Sequence, residues 1–321
     1  MATLMKTSFR ATHGFSRLAS TRVQLYTRLA VNKAFYSSSF ETTNKKHIYQ
    51  VTYRPVSAET NTELGSQSDL KTQSTRLAII TMKNPPVNMF GLEQVVELRE
   101  LLSKLEEDKS VRGLVITSEV KNIFSAGIDL NTFLGDSLSL EKFWYQVCKL
   151  FGVLYGSRLL TVAAINGHSL ALGSVIMLAC HDRYALNGSY KLGLNEVQVG
   201  LTLPLWLAEL LVKVVGTRNA ELLGADGCVV GVNEALKCGL IDKVFDGNDA
   251  LLEGSIERIR LRSKCPERAQ TGSMAAIRGE FLAKFNSNID SQVQNFVQMV
   301  KSEETQAYIK RTISSLAAKR S

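Results

Sequence analysis

The sequence predicts an α/β fold in which buried strands alternate with amphipathic helices, and three observations carry that reading. Apolar runs of strand length occur at 76–82, 111–118 and 159–165, each bounded by turn residues such as Asn84-Pro85-Pro86 and Asn166-Gly167. Between them lie stretches with helical spacing: Leu92, Val95, Val96, Leu98, Leu101, Leu102 and Leu105 form one apolar stripe, and 138–155 reads as a second helix. In two places, at Gly127 and at Gly173, a strand pattern ends on a glycine turn and runs into a helical segment. Alternation of this kind argues for parallel strands joined by crossover helices. An earlier run, 47–53, alternates enough to be a further strand, and 59–75 is polar and reads as a solvated loop.

From Pro204 onward the pattern is mainly helical, over 204–215, 217–224, 231–237 and 249–263, with further pieces to the C-terminus. In the last of these Val293, Phe296, Val297 and Val300 keep i, i+3, i+4, i+7 spacing. Such a seam needs a surface to dock on, either the core or a neighbouring subunit. The chain therefore divides into an N-terminal leader and linker (1–45), an α/β core (46–262) and a helical region (263–321).

The leader has its own composition. It carries Lys6, Arg10, Arg17, Arg22, Arg28 and Lys33, many Ser and Thr, and no acid before Glu41. Basic, Ser-rich, acid-free N-termini read as mitochondrial or plastid transit peptides; the alternative is a basic arm that binds nucleic acid. Those six residues supply most of the excess of 38 Lys and Arg over 30 Asp and Glu, which leaves a body close to neutrality. That balance gives no electrostatic reason to expect nucleic acid as a partner. No run of about 18 apolar residues occurs, so no membrane span is predicted. The five cysteines (Cys148, Cys180, Cys228, Cys238 and Cys265) are odd in number and form no CxxC pair, which fits a reducing compartment. The four histidines (His13, His47, His168 and His181) show no metal-ligand spacing, and no metal site is predicted.

Candidate chemistry sits at three stretches. The turn Phe124-Ser125-Ala126-Gly127-Ile128-Asp129-Leu130 presents backbone N–H groups of the kind that hold an anion or a developing oxyanion. The turn at Gly173 opens an apolar helix whose first N–H groups carry the positive end of its dipole. In Gly193-Leu194-Asn195-Glu196-Val197-Gln198-Val199-Gly200, Glu196 stands among apolar residues and glycines. Such surroundings raise a carboxyl pKa and suit it to take and return a proton.

These stretches, with Ile165-Asn166-Gly167 before Gly173, occur in the order and spacing of the crotonase (enoyl-CoA hydratase/isomerase) superfamily, which the chain resembles from about residue 76 to its end. Within it the chain is most similar to the mitochondrial Δ3,Δ2-enoyl-CoA isomerase branch, on Lys83-Asn84-Pro85-Pro86-Val87-Asn88, the Leu194-Asn195-Glu196 segment and Val293-Gln294-Asn295-Phe296-Val297. The resemblance implies a spiral of ββα turns with a C-terminal helical trimerisation region, in a homotrimer of the mitochondrial matrix. It also implies fatty enoyl-CoA thioesters as substrates in β-oxidation, and no cofactor beyond the coenzyme A of the substrate. By position it puts the oxyanion-hole N–H groups on Ile128 and Leu172 and the catalytic carboxylate on Glu196. Ala126, Gly127, Asp129, Leu130, Gly173 and Asn195 would line the substrate.

Two positions separate the readings that remain. Hydratases of the family use a second glutamate in the helix after the second glycine turn; that position here is Val175, which favours isomerisation over enoyl-CoA hydration. The family has glycine where this chain has Leu172, a departure that keeps a catalytically silent acyl-CoA-binding subunit as an alternative. Asp129 reads equally as a helix cap, His168 and His181 as packing residues, and Trp206 as an acyl-tunnel or core residue. Lys301, Lys310, Arg311, Lys319 and Arg320 read either as partners of the CoA phosphates or as a solvated basic face.

Overall fold

The computed structural model describes residues 48–56 and 75–318. The predicted leader, nearly all of the polar 59–75 stretch, Lys319 and Arg320 lie outside the described residues. In chain order the first half runs β1 (Tyr49–Pro55), β2 (Arg76–Met82), β3 (Met89–Phe90), α1 (Leu92–Glu107), β4 (Val111–Ser118), β5 (Asn122–Ser125), β6 (Gly127–Ile128) and α2 (Ser137–Tyr155). Next come β7 (Leu160–Ile165), β8 (Gly167–Leu170), α3 (Leu172–Ala179), β9 (Asp182–Leu186), β10 (Lys191–Gly193) and α4 (Leu205–Ala220). The chain closes with β11 (Val230–Gly231), α5 (Val232–Lys237), β12 (Lys243–Phe245), α6 (Asn248–Ser263), α7 (Glu267–Ser287), α8 (Ile289–Lys301) and α9 (Glu303–Ala318).

The strands form two main layers. One sheet has the order β1-β2-β4-β7-β9-β12, parallel throughout except for the β1–β2 pair. The other has the order β11-β10-β8-β5, in which β5, β8 and β10 run parallel. Consecutive strands alternate between layers before a helix returns the chain: β4 then β5, β7 then β8, β9 then β10. This is the predicted spiral of ββα turns.

Both faces of the larger sheet are covered, as parallel sheets require. The period-2 alternation of β2 shows it: Ala78, Ile80 and Met82 face the main core, while Leu77 and Ile79 join Val115, Leu160 and Val162 on the other side. There α6 supplies Leu251, Ile256 and Ile259. A glycine lets that helix approach: a Cβ on Gly113 of β4 would lie 2.3 Å from Ile259 Cγ2. On the main-core face α1 buries Val95, Leu98, Leu102 and Leu105, the stripe expected from spacing.

The predicted break between helices 204–215 and 217–224 falls at Gly216, whose φ of 75° and ψ of 162° are non-helical and divide α4 there, and a π-helical turn at Glu221–Ala225 follows. The C-terminal seam docks on this chain's own core. Val293, Phe296 and Val300 of α8 are buried, and the Phe296 ring stacks on Trp144 of α2 at 3.5 Å between centroids. No described helix is long and apolar enough to cross a membrane. Replacing Gly113 with Ala should force α6 off the sheet and lower stability by about 1–3 kcal/mol, read as a shift of the urea midpoint.

Candidate active site

The three sequence stretches meet because of strand order. Ser125, Leu170 and Gly193 end β5, β8 and β10, which are parallel neighbours in the second sheet, so the turns leaving them emerge side by side. In α/β architecture that carboxyl edge is where ligands are held.

The first two turns are interlocked. Gly127 has φ +92°, and a Cβ there would lie 2.7 Å from Ala171 Cβ, 2.9 Å from Leu170 O and 3.3 Å from Leu172 N. Gly173 is constrained in return, since its Cβ would lie 2.8 Å from Ser125 Cβ. Each glycine is thus required by the backbone of the other turn. Ala171, which opens α3, has φ 46°, ψ −121°, a strained conformation for a residue with a side chain. Its N–H donates to Gly193 O at 3.1 Å, tying the second turn to the third stretch. The α3 hydrogen-bond ladder starts with Val175 N–H to Ala171 O at 3.0 Å. The amides of Leu172, Gly173 and Ser174 therefore precede it and are the dipole-bearing end of the helix.

Asn88 holds the first turn from below. It is buried, with φ 49°, and its Nδ2 donates to Phe124 O at 2.9 Å and to Ser118 Oγ at 2.7 Å. Its own carbonyl accepts from Ser125 Oγ at 2.8 Å, and that same Oγ accepts from Gly127 N at 3.0 Å. Nothing in the sequence marked Asn88 as more than part of a resemblance; its buried polar side chain is intelligible only once β3 and β6 are seen to pair.

The turns open into a cavity of about 690 Å³. Ala126, Ile128, Leu130, Leu172, Asn195 and Glu196 line it, and so does Val175. Gly127 and Gly173 lie behind that wall, packing turn on turn. Asp129 caps the turn Leu130–Leu134, its Oδ1 accepting from Asn131 N at 3.0 Å. Among the described residues Glu196 is the one acidic side chain lining the cavity. The residue as a whole is partly buried, but its Oε2 is sealed from solvent with no hydrogen-bond partner. Burial pushes its carboxyl up from 4.5 to about 7, against a weaker opposing hydrogen bond from its own backbone N–H.

Leu172 is buried, and together with Leu150, Phe151 and Leu154 it borders a small internal gap on its core side. Trp206 lines the cavity. Sequence reasoning missed Phe133, Trp144, Val147 and Thr202, whose only signal was ordinary core spacing. From α9, Tyr308, Arg311 and Thr312 close the outer side. Lys301 is a tether instead, its Nζ donating to the carbonyls of Phe133 (3.2 Å) and Gly135. His168 and His181 each accept a backbone N–H through Nδ1, from Lys191 at 3.0 Å and Thr161 at 3.1 Å, so both hold loops together. The described residues contain no metal-binding cluster of His, Cys, Asp and Glu.

The family model described as enoyl-CoA hydratase/isomerase matches residues 72–321. The chain belongs to the enoyl-CoA hydratase/isomerase family. It is 35% identical over 242 residues to human mitochondrial enoyl-CoA delta isomerase 1, covering 75% of this chain and 80% of that one. The mouse protein of the same name is 41% identical over 170 residues, 52% of this chain and 59% of its own length. The crystal structure of human mitochondrial delta3-delta2-enoyl-CoA isomerase superposes with a TM-score of 0.74 at 32% identity, covering 76% of this chain and 95% of that one.

The raised Glu196 pKa has a stability consequence of definite sign. Between 4.5 and about 7 the folded protein holds a proton that the unfolded chain has lost, so this group makes stability fall as pH rises across that window. Glu196→Gln should remove the penalty. Its stability gain over the unsubstituted protein should be near zero at pH ~4.5 and reach about 3 kcal/mol above pH ~7, measured by urea unfolding at both ends.

Proposed function

We propose that this protein is a Δ3,Δ2-enoyl-CoA isomerase, acting in the mitochondrial matrix on 3-enoyl-CoA thioesters of fatty acid oxidation. The observation that carries the reading is a single acidic side chain, Glu196, with its Oε2 sealed and unpartnered, in a cavity whose α3 wall is apolar at Val175. Curated relatives named mitochondrial enoyl-CoA delta isomerase support it.

Moving a double bond from C3–C4 to C2–C3 requires a proton to leave C2 and one to arrive at C4. In this reading the thioester oxygen lies between the Ile128 and Leu172 N–H groups, which stabilise the dienolate formed when C2 loses its proton. One such donor contributes about 3 kcal/mol to a transition state of this kind. Glu196 takes the proton from C2 and delivers it to C4, so that one carboxyl serves as base and then as acid. A pKa near neutrality suits both halves of that cycle. Ala126 and Leu130 lie along the thioester and pantetheine, with Asn195 beside the base. Hydration would need a second acid or base to activate water, and Val175 cannot provide one. The family's homotrimer is the proposed assembly.

The direct test supplies purified protein with 3-enoyl-CoA and follows 2-enoyl-CoA. Glu196→Gln should lower kcat by about 10³-fold, within the range of general acid–base contributions. Retention of near-normal turnover in this variant would falsify the single-base mechanism. For the unsubstituted enzyme kcat/KM should rise with pH and level off above about 7, as the free-enzyme carboxyl ionises. Faster hydration of 2-enoyl-CoA than isomerisation of 3-enoyl-CoA would favour the hydratase reading. Acyl-CoA binding with no turnover, unrelieved by Leu172→Gly, would make the protein a silent binding subunit.

A further inference from the structure

A second cavity of about 410 Å³ lies beside the first. The two share Thr202, Pro204, Trp206 and Phe296 in their walls. Only Trp206 and Phe296 among these are large aromatics, and both are almost fully buried, at 4% and 5% exposure. Beyond them the second cavity is lined largely by α7 and α8, including Phe281, Phe285 and Met299.

The direction of an acyl chain in the first cavity follows from exposure. Its outer side is built by α9, where Tyr308 and Arg311 are exposed and suit the polar part of a CoA thioester. Its inner side, beyond Glu196, is Val147, Trp144, Leu207, Trp206 and Phe296, all buried. An apolar tail leaving the reacting carbons inward therefore ends against Trp206 and Phe296, with more room directly behind them.

We propose that Trp206 and Phe296 form a partition that sets acyl chain length: short tails fit in front of it, and long tails require it to yield into the second cavity. The inference rests on the acyl-CoA reading of the site. Three features fit a partition that can yield. The two rings belong to different elements, α4 and α8, and Phe296 is held by ring contacts alone, stacked on Trp144 and edge-on to Phe133 at 5.9 Å between centroids. Trp206 Nε1 is buried with no hydrogen-bond partner, so no polar anchor fixes the indole. Gln292 Oε1, on the far side in the second cavity, is a buried acceptor that also lacks a partner, so the closed arrangement leaves a donor and an acceptor unsatisfied.

The test compares Phe296→Ala, the milder Phe296→Leu, and Trp206→Leu with the unsubstituted protein. Binding of saturated hexanoyl-CoA and palmitoyl-CoA is measured by calorimetry, and turnover of 3-hexenoyl-CoA and 3-hexadecenoyl-CoA by the isomerase assay. Each methylene newly admitted to an apolar site is worth about fourfold in affinity. The long-to-short affinity ratio should thus rise by about tenfold or more in at least one variant whose circular dichroism and melting are native-like, with the kcat/KM ratio moving the same way. Folded variants whose affinity ratio stays within about twofold of the unsubstituted protein would overturn the partition. Because saturated ligands need no double-bond chemistry, the affinity ratio reads the partition by itself. Failure of the unsubstituted protein to turn over either unsaturated substrate would instead overturn the isomerase reading.

Discussion

The site depends on the close approach of two turns whose glycines occupy each other's space. Gly127 leaves room for Ala171 and the Leu172 amide, and Gly173 leaves room for Ser125. A side chain at either position would drive the turns apart, because what it meets includes backbone as well as Cβ atoms. The approach is strained on one side, at Ala171 with its positive φ, and over-determined on the other, where Asn88 and Ser125 fix the β5–β6 corner through several buried hydrogen bonds. Strain of this sort survives only when the surroundings hold it, and it gathers where function needs unusual backbone.

Topology explains why this contact lies beside Glu196. The spiral places β5, β8 and β10 as parallel neighbours, so three segments separated by tens of residues leave the sheet from one edge. Ala171 N–H to Gly193 O then couples the second turn to the start of the Glu196 segment, and Ser174 Oγ accepts from Gly193 N at 3.1 Å. The acid is thus positioned by the same element that presents the helix-terminal amides. The C-terminal helices complete the cavity from outside, with α8 bringing Phe296 to Trp144 and α9 passing over the mouth.

Much of this was legible in the sequence, for physical reasons that differ by residue. Three strands of the large sheet, β2, β4 and β7, could be read because burial on both faces makes them continuous apolar runs, whereas β9 and β12, short and carrying Asp182, Arg183 and Lys243, were not read. The α1 stripe and the α8 seam could be read because each buries one face only. The glycine turns were visible, but their convergence was not, since spacing along the chain says nothing about which strands become neighbours. Trp144 was indistinguishable from core, because an aromatic that lines a cavity and one that fills it obey the same helical period. Lys301 was open to misreading in the other direction: its charge suggested a ligand, whereas its ammonium is satisfied by two backbone carbonyls.

Val175 matters for more than the absence of a second catalytic group. A carboxylate at that point of α3 would share the cavity with Glu196, and two acids so placed titrate as a coupled pair with one pKa driven up and the other down. Neither would then sit near neutrality by burial alone. With an apolar neighbour, Glu196 is governed mainly by its own desolvation, which holds it at about 7. A group that must first accept a proton and then give the same proton back works best when neither state is strongly preferred, so that the two half-reactions have similar driving force. On the proposed isomerase reading the lone carboxylate and its apolar wall are therefore one device: an apolar residue at position 175 withholds the partner that water addition needs and at the same time leaves Glu196 tuned by its own burial for a shuttle.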